Sequence, residues 1–286
     1  MSTIFATAFS PDGKHLVCAT GCGKLHVWAV SDGSMERMPT PDQHQSFQLH
    51  KCAIYSLVFV PSQGGVLLIS GSDEEIRGWR WDELLSASSE PTPAMQLQNP
   101  RRSLRRGGLG PLSETSALVH DSISNVLYSA AGDGNAYAWD LSTQKCVTTF
   151  SGHSDQLHCI AARTQRRQIV TGSEDGTVRL WDVRTASCTA TLLADGTGGS
   201  KPVVSGAPAA AEAPAAADAH GWCGCLAVDE SENWLVAGWG GGFLCTFELN
   251  MLACIACLPT AAAPQAVCFR PGSSSDVMTV GAEPNL

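Results

Sequence analysis

The sequence predicts an all-β propeller, in which short antiparallel sheets repeat around a common axis, and three observations carry that reading. Six segments share one layout. Three of them place an aspartate six residues before a tryptophan, and no segment has strong helical periodicity. A chain of 286 residues with 44% hydrophobic content can bury a sizeable core.

The repeated segments run over 5–30, 53–79, 116–141, 157–183 and 224–249, and a sixth begins at 266 and reaches the last residue before its third strand. Each opens with an apolar strand and a turn. A second strand ends in small residues, a Gly/Asp turn follows, and the third strand ends in an aromatic. Trp28, Trp79, Trp139, Trp181 and Phe247 are those aromatics. Within the units the apolar positions alternate as a pleated strand requires, as at Val178 and Leu180. The only helical text is a turn or two at Asp82–Ala87, so no crossover helices exist for a parallel sheet. Radial repetition covers the sheet faces with neighbouring sheets, which explains why several units are needed.

The fourth unit is the most informative. His153 precedes its first strand, Thr171 lies in its second, Asp175 in the turn and Trp181 at the end of its third. An aspartate can accept from a histidine whose other nitrogen reaches a hydroxyl, which in turn takes the indole N–H; such a chain orders a sheet only if every member is satisfied. His50, Ser70, Asp73 and Trp79 repeat the set in the second unit. Ser129, Asp133 and Trp139 repeat it in the third, where no histidine precedes. The pattern resembles the WD-repeat family and implies a WD-repeat β-propeller. Seven blades are expected for the family, and this chain covers about five and a half. The aromatic spacings of 51, 60, 42 and 66 residues exceed or straddle the repeat of about 40–45, so the excess belongs to connections. Cys22 and Gly241 replace the turn aspartate in the first and fifth units, and packing alone is expected to hold those blades.

Residues 1–286 read as a single propeller, incomplete at its C-terminal end, with two long connections. Residues 82–111 read as an inter-blade connection carrying the one dense basic cluster, Arg101, Arg102, Arg105 and Arg106. That cluster is a candidate nuclear-import signal or contact for an acidic partner or RNA. It lacks the aromatic interleaving of a base-stacking surface, and a solvated loop is the simpler reading. Residues 194–219, rich in Ala, Pro and Gly, read as a flexible insertion.

Charge and motifs narrow the function. A formal charge of −9 disfavours autonomous nucleic-acid binding, so contact with RNA is expected only through partners. No stretch is long and apolar enough for a membrane span, and the first 20 residues carry no secretory pattern. A reducing, intracellular setting is expected, with most of the 12 cysteines acting as small core residues. Cys254 and Cys257, or Cys223 and Cys225, have metal-ligand spacings, but each pair lacks an equally spaced second pair and lies in apolar strand text. There is no phosphate loop and no nucleophile elbow. His158 and Cys159 are adjacent on a strand and point to opposite faces. No enzyme activity, metal or cofactor is expected.

The stretch 152–192, together with 3–20, 50–59, 69–85 and 221–240, is similar to the family of THO complex subunit 6. That resemblance implies a nuclear, non-catalytic scaffold within the THO/transcription-export complex, in mRNA processing, mRNP assembly and mRNA export, with other THO subunits as partners. Trp181–Arg184 also matches the WDxR motif by which some propellers dock onto the adaptor of a cullin-type ubiquitin ligase, with Asp182 and Arg184 as contact residues. A substrate receptor of such a ligase is the alternative; Arg184 would supply a guanidinium fork that lysine could not copy.

Overall fold

The structure is a computed structural model that describes residues 3–30, 44–62, 64–73, 75–87, 90–101, 112–193 and 221–281. Five antiparallel four-stranded sheets follow one another along the chain. The first comprises β1 (Ile4–Phe9), β2 (His15–Thr20), β3 (Lys24–Ala29) and β4 (His44–Gln48). The second has β5 (Ile54–Ser62), β6 (Gly65–Ser72), β7 (Ile76–Arg80) and β8 (Met95–Leu97), with the short helix α1 (Trp81–Ser86) between its last two strands. The third holds β9 (Thr115–Asp121), β10 (Val126–Ala131), β11 (Asn135–Asp140) and β12 (Lys145–Ser151). The fourth holds β13 (Leu157–Arg163), β14 (Gln168–Ser173), β15 (Thr177–Asp182) and β16 (Ser187–Leu193). The fifth holds β17 (Cys223–Val228), β18 (Trp234–Trp239), β19 (Phe243–Glu248) and β20 (Ala253–Pro259). A two-stranded sheet of β21 (Pro264–Phe269) and β22 (Val277–Gly281) comes sixth.

The first strand of each sheet packs against the first strand of the next, from β1 through β5, β9, β13 and β17 to β21. Those six strands therefore line the axis of a WD-repeat β-propeller. The core is divided between blades rather than shared at one centre. One apolar cluster joins blades one and two around Trp79, and a second joins two and three around Trp139. A third joins three and four around Trp181, and a fourth joins four and five around Phe247. Each terminal aromatic thus packs backward onto the preceding blade. The second strands are buried on both faces, which is why VLYSAA in β10 and WLVAGW in β18 are runs of apolar and small residues. Alternation survives on outer strands such as β12.

Two expectations need correction here. Residues 82–111 are not only a connection, because Met95–Leu97 pairs with β7 and completes the second blade. Proline-rich text hid a strand of only three residues. Cys245 and Cys257 form a disulfide, which spacing along the chain could not show because it joins directly opposed positions of β19 and β20. Residues 194–219 and Arg102, Arg105 and Arg106 lie outside the described residues.

Candidate interaction faces

The turns between second and third strands set the geometry of one face. In blades one, three, four and five this turn ends on a glycine at positive φ: Gly23 at 76°, Gly134 at 81°, Gly176 at 77° and Gly242 at 81°. L side chains rarely adopt that conformation, and it lets the glycine N–H reach back to the strand, as from Gly176 to the Ser173 carbonyl at 3.2 Å.

In blade four this turn presents Asp175 to a closed chain of hydrogen bonds. His153 Nδ1 lies 2.8 Å from Asp175 Oδ2, and His153 Nε2 lies 2.8 Å from Thr171 Oγ1. Trp181 donates its indole N–H to the same hydroxyl at 2.8 Å. A neutral imidazole with its proton on Nδ1 satisfies every partner. Burial holds His153 in that state by drawing its pKa down. Burial works against the Asp175 carboxylate, but donors from His153 and from the hydroxyl and N–H of Thr177 more than offset it and keep its pKa well below the usual range.

Blade two gathers the same residue types without closing the chain. His50 Nε2 reaches Ser70 Oγ at 2.7 Å, yet the buried Trp79 N–H has no partner. Asp73 lies instead near Tyr55, where its charge adds to burial in holding the phenol's pKa up to about 12. The cause is turn length. Gly71 pairs with Ile76 across this hairpin, whereas Gly172 pairs with Val178, so the second blade's turn is one residue shorter. Asp73 follows Ser70 by three positions, while Asp175 follows Thr171 by four.

In blade three Trp139 donates to Ser129 Oγ at 2.9 Å, and Tyr137 donates its hydroxyl to Asp133 Oδ2 at 2.5 Å. Sequence reasoning missed Asn99, which occupies the histidine's position along the chain but bonds to the first strand of this blade and not to Ser129 or Asp133. Asn99 lies two residues beyond the outer strand of the preceding blade, where His50 and His153 lie, and its amide donates to Thr115 Oγ1 at 3.0 Å. That offset was the available clue.

Blades one and five do not rely on packing alone. In blade one Thr20 donates to the Lys24 carbonyl at 3.0 Å and takes the Lys24 N–H at 3.1 Å across the turn that holds Cys22. In blade five the Trp239 indole N–H reaches the Gly176 carbonyl of blade four at 2.9 Å. Glu232, in the turn before β18, accepts the backbone N–H groups of Gln165 at 2.9 Å and Arg166 at 3.1 Å. Asp229 takes the N–H groups of Asn233 and Trp234 and the hydroxyl of Ser274 from the sixth sheet. Contacts between blades therefore replace the missing turn aspartate of Gly241.

The WDxR residues lie at the opposite end of the strands, where β15 turns into β16. Asp182 accepts both Nε at 3.2 Å and Nη2 at 2.7 Å from Arg184 and also its backbone N–H at 2.8 Å. The guanidinium fork expected to face a partner is closed onto its own motif, although the side chain remains 66% exposed. Beside it a groove of about 350 Å³ runs between blades three and four, with the exposed apolar side chains Ile123 and Val147 in its lining. Arg101 is exposed and follows blade two.

Metal-ligating and nucleophilic types are dispersed. Among the described residues no three His, Cys, Asp or Glu side chains converge to hold a metal. Burial pushes the thiols of Cys223 and Cys225 upward, Cys225 to about 12, which leaves them protonated. His158 turns to Glu174 at 2.6 Å, away from the buried Cys159. Among the described residues no helix is long and apolar enough to cross a membrane.

Comparison with known proteins gives the arrangement a family. The model of the WD domain, G-beta repeat, matches residues 2–29 and 144–182. THO complex subunit 6 of Arabidopsis thaliana is 34% identical over 99% of this chain and 77% of its own length. The Homo sapiens protein of that name is 30% identical over 87% of this chain and 65% of its own length. The Danio rerio homologue is 28% identical over 99% of this chain and 78% of its own length. Identity of 34% to one of these relatives along 99% of the chain, together with the WD-domain match, means that the chain belongs to the THO complex subunit 6 family of WD-repeat proteins.

Proposed function

We propose that the chain is a non-catalytic scaffold of the THO/transcription-export complex, acting in the nucleus in mRNA processing, mRNP assembly and mRNA export. The observation that carries this reading is 34% identity to a THO complex subunit 6 across 99% of the chain. The architecture supports it. A series of blades offers broad faces, and the buried pair His153 and Asp175 bonds within its own blade. The formal charge of −9 favours protein partners, chiefly other THO subunits, over direct RNA contact. Affinity purification of the tagged chain from nuclear extract is expected to recover other THO subunits; recovery of cullin-ligase components alone would overturn the proposal.

The ubiquitin-ligase reading keeps one observation in its favour, the exposed Arg184 beside an apolar groove. Its guanidinium would have to leave Asp182 or dock with one edge already engaged. Under that reading Arg184→Ala abolishes adaptor capture, and under the THO reading it leaves subunit recovery intact.

A further inference from the structure

We propose that the axial mouth, on the face that carries the aspartate turns, binds an extended protein segment presenting an arginine or lysine side chain. All six sheets contribute to this cavity of about 550 Å³, which places it on the propeller axis. Its volume is that of a ligand site, yet it is open, and Phe5 on its rim is 50% exposed. A segment laid across it suits that shape better than an enclosed small molecule.

The lining selects for positive charge. Phe5 and Tyr55 pair on one side with ring centroids 5.4 Å apart, and His158 and Trp222 meet edge to face at 5.5 Å on the other. Glu114 and Glu174 complete the lining, Glu174 already bonded to His158 at 2.6 Å so that Glu114 is the carboxylate left for a ligand, and no lysine or arginine belongs to it. Asp73, near Tyr55, adds a further negative charge to this side of the mouth. A cation held over aromatic faces and close to carboxylates gains from both, with the aromatic part worth about 0.5–2 kcal/mol. A phosphate backbone would meet the same carboxylates as repulsion, so single-stranded RNA is the wrong ligand despite the aromatic rings.

The side chains are also seated. An added Cβ at Gly21 would lie 2.9 Å from the Phe5 ring, and one at Gly132 would lie 2.4 Å from the Glu114 carboxyl. At Gly224 and Gly240 it would lie 2.0 and 2.5 Å from the Trp222 indole. Four glycines in three blades thus leave flat beds on which these groups rest over the backbone, holding them toward the mouth. The inference does not depend on which assembly holds the chain.

Fluorescence anisotropy with the full chain tests it, using a short labelled Gly/Ser peptide that contains two arginines. Its lysine and citrulline counterparts and a labelled oligouridine are the comparison probes. The arginine and lysine peptides are expected to bind saturably, and the citrulline peptide at least about tenfold more weakly. Glu114→Gln should weaken the arginine peptide about tenfold, while Arg184→Ala on the opposite face leaves it unchanged. Glu114→Gln preserves shape, so its effect reports the lost charge and not a loosened fold. Equal binding of citrulline, no effect of Glu114→Gln, or preferential binding of oligouridine would overturn the proposal.

Discussion

His153 and Asp175 meet at 2.8 Å with their side chains only 0% and 2% exposed, and the bond from His153 helps keep the Asp175 carboxyl ionised while burial keeps the imidazole neutral. Four donors converge on that carboxylate, from His153, the Ser154 N–H and the hydroxyl and N–H of Thr177. Asp175→Ala would strand a buried imidazole N–H and is expected to cost about 3 kcal/mol. Asp73→Ala, which strands no buried donor at a partly exposed turn, should cost less than about 1 kcal/mol. Urea unfolding midpoints of the two variants test the ranking, and equal losses would contradict the turn-length account of blade two.

Acid sensitivity should trace in part to His50. Burial, and after it the nearby charge of Arg77, pulls its imidazole down to about 4. The unfolded chain takes up that proton near pH 6.5, so stability is fully present above that pH and falls as the pH drops toward 4. Between pH 7 and pH 5 the loss from this group is roughly 2 kcal/mol. His50→Gln retains a polar partner for Ser70 and should flatten the stability profile by that amount, measured by chemical unfolding at the two pH values.

Gly23 couples a backbone demand to an inter-blade contact. At φ 76°, an added Cβ would lie 2.1 Å from the His50 carbonyl oxygen and 2.6 Å from that of Cys52. Gly13 has a similar φ of 70° and open space around it. Gly13→Ala should therefore cost about 1 kcal/mol, from strain alone. Gly23→Ala must also move the chain entering blade two and should cost at least about 3 kcal/mol. Thermal unfolding separates them, and a small effect at Gly23 would mean that the chain there can shift freely.

Glu232 fastens blade five to the first turn of blade four by accepting two backbone N–H groups, and its own carbonyl takes the Arg163 Nε–H at 2.8 Å. Glu232→Ala should cost about 2 kcal/mol. Its specific signature is faster hydrogen exchange at the Gln165 and Arg166 amides, by about tenfold or more, with little change at blade-two amides.

Much of this was legible in the residues. The six-residue step from Asp133 to Trp139 and from Asp175 to Trp181 marks equivalent positions of successive blades. The same step from Asp73 to Trp79 conceals a difference, because Ser70 stands nine residues before Trp79 where Thr171 stands ten before Trp181. Measuring from the hydroxyl would have exposed the shortened turn. Asn99 escaped notice because it shares with His50 and His153 only a position two residues past an outer strand, not a residue type. Contacts such as Trp239 to Gly176 and Glu232 to Gln165 join residues more than sixty positions apart, and no local pattern announces them. The axial mouth was unreadable for the same reason, since its lining comes from every blade.

The bond from the Trp239 indole to the Gly176 carbonyl ties one sheet to the apex of its neighbour's hairpin, one residue from the carboxylate that orders that neighbour. Loosening either sheet withdraws support from the other. The two should melt as one cooperative unit, and native-state hydrogen exchange should give amides of β14 and β18 a common opening free energy and denaturant slope. Damage at either leaf, whether by a nick, a substitution or a misplaced strand, would then be felt across both, so a fault far from a docking face could still cost the molecule its partners.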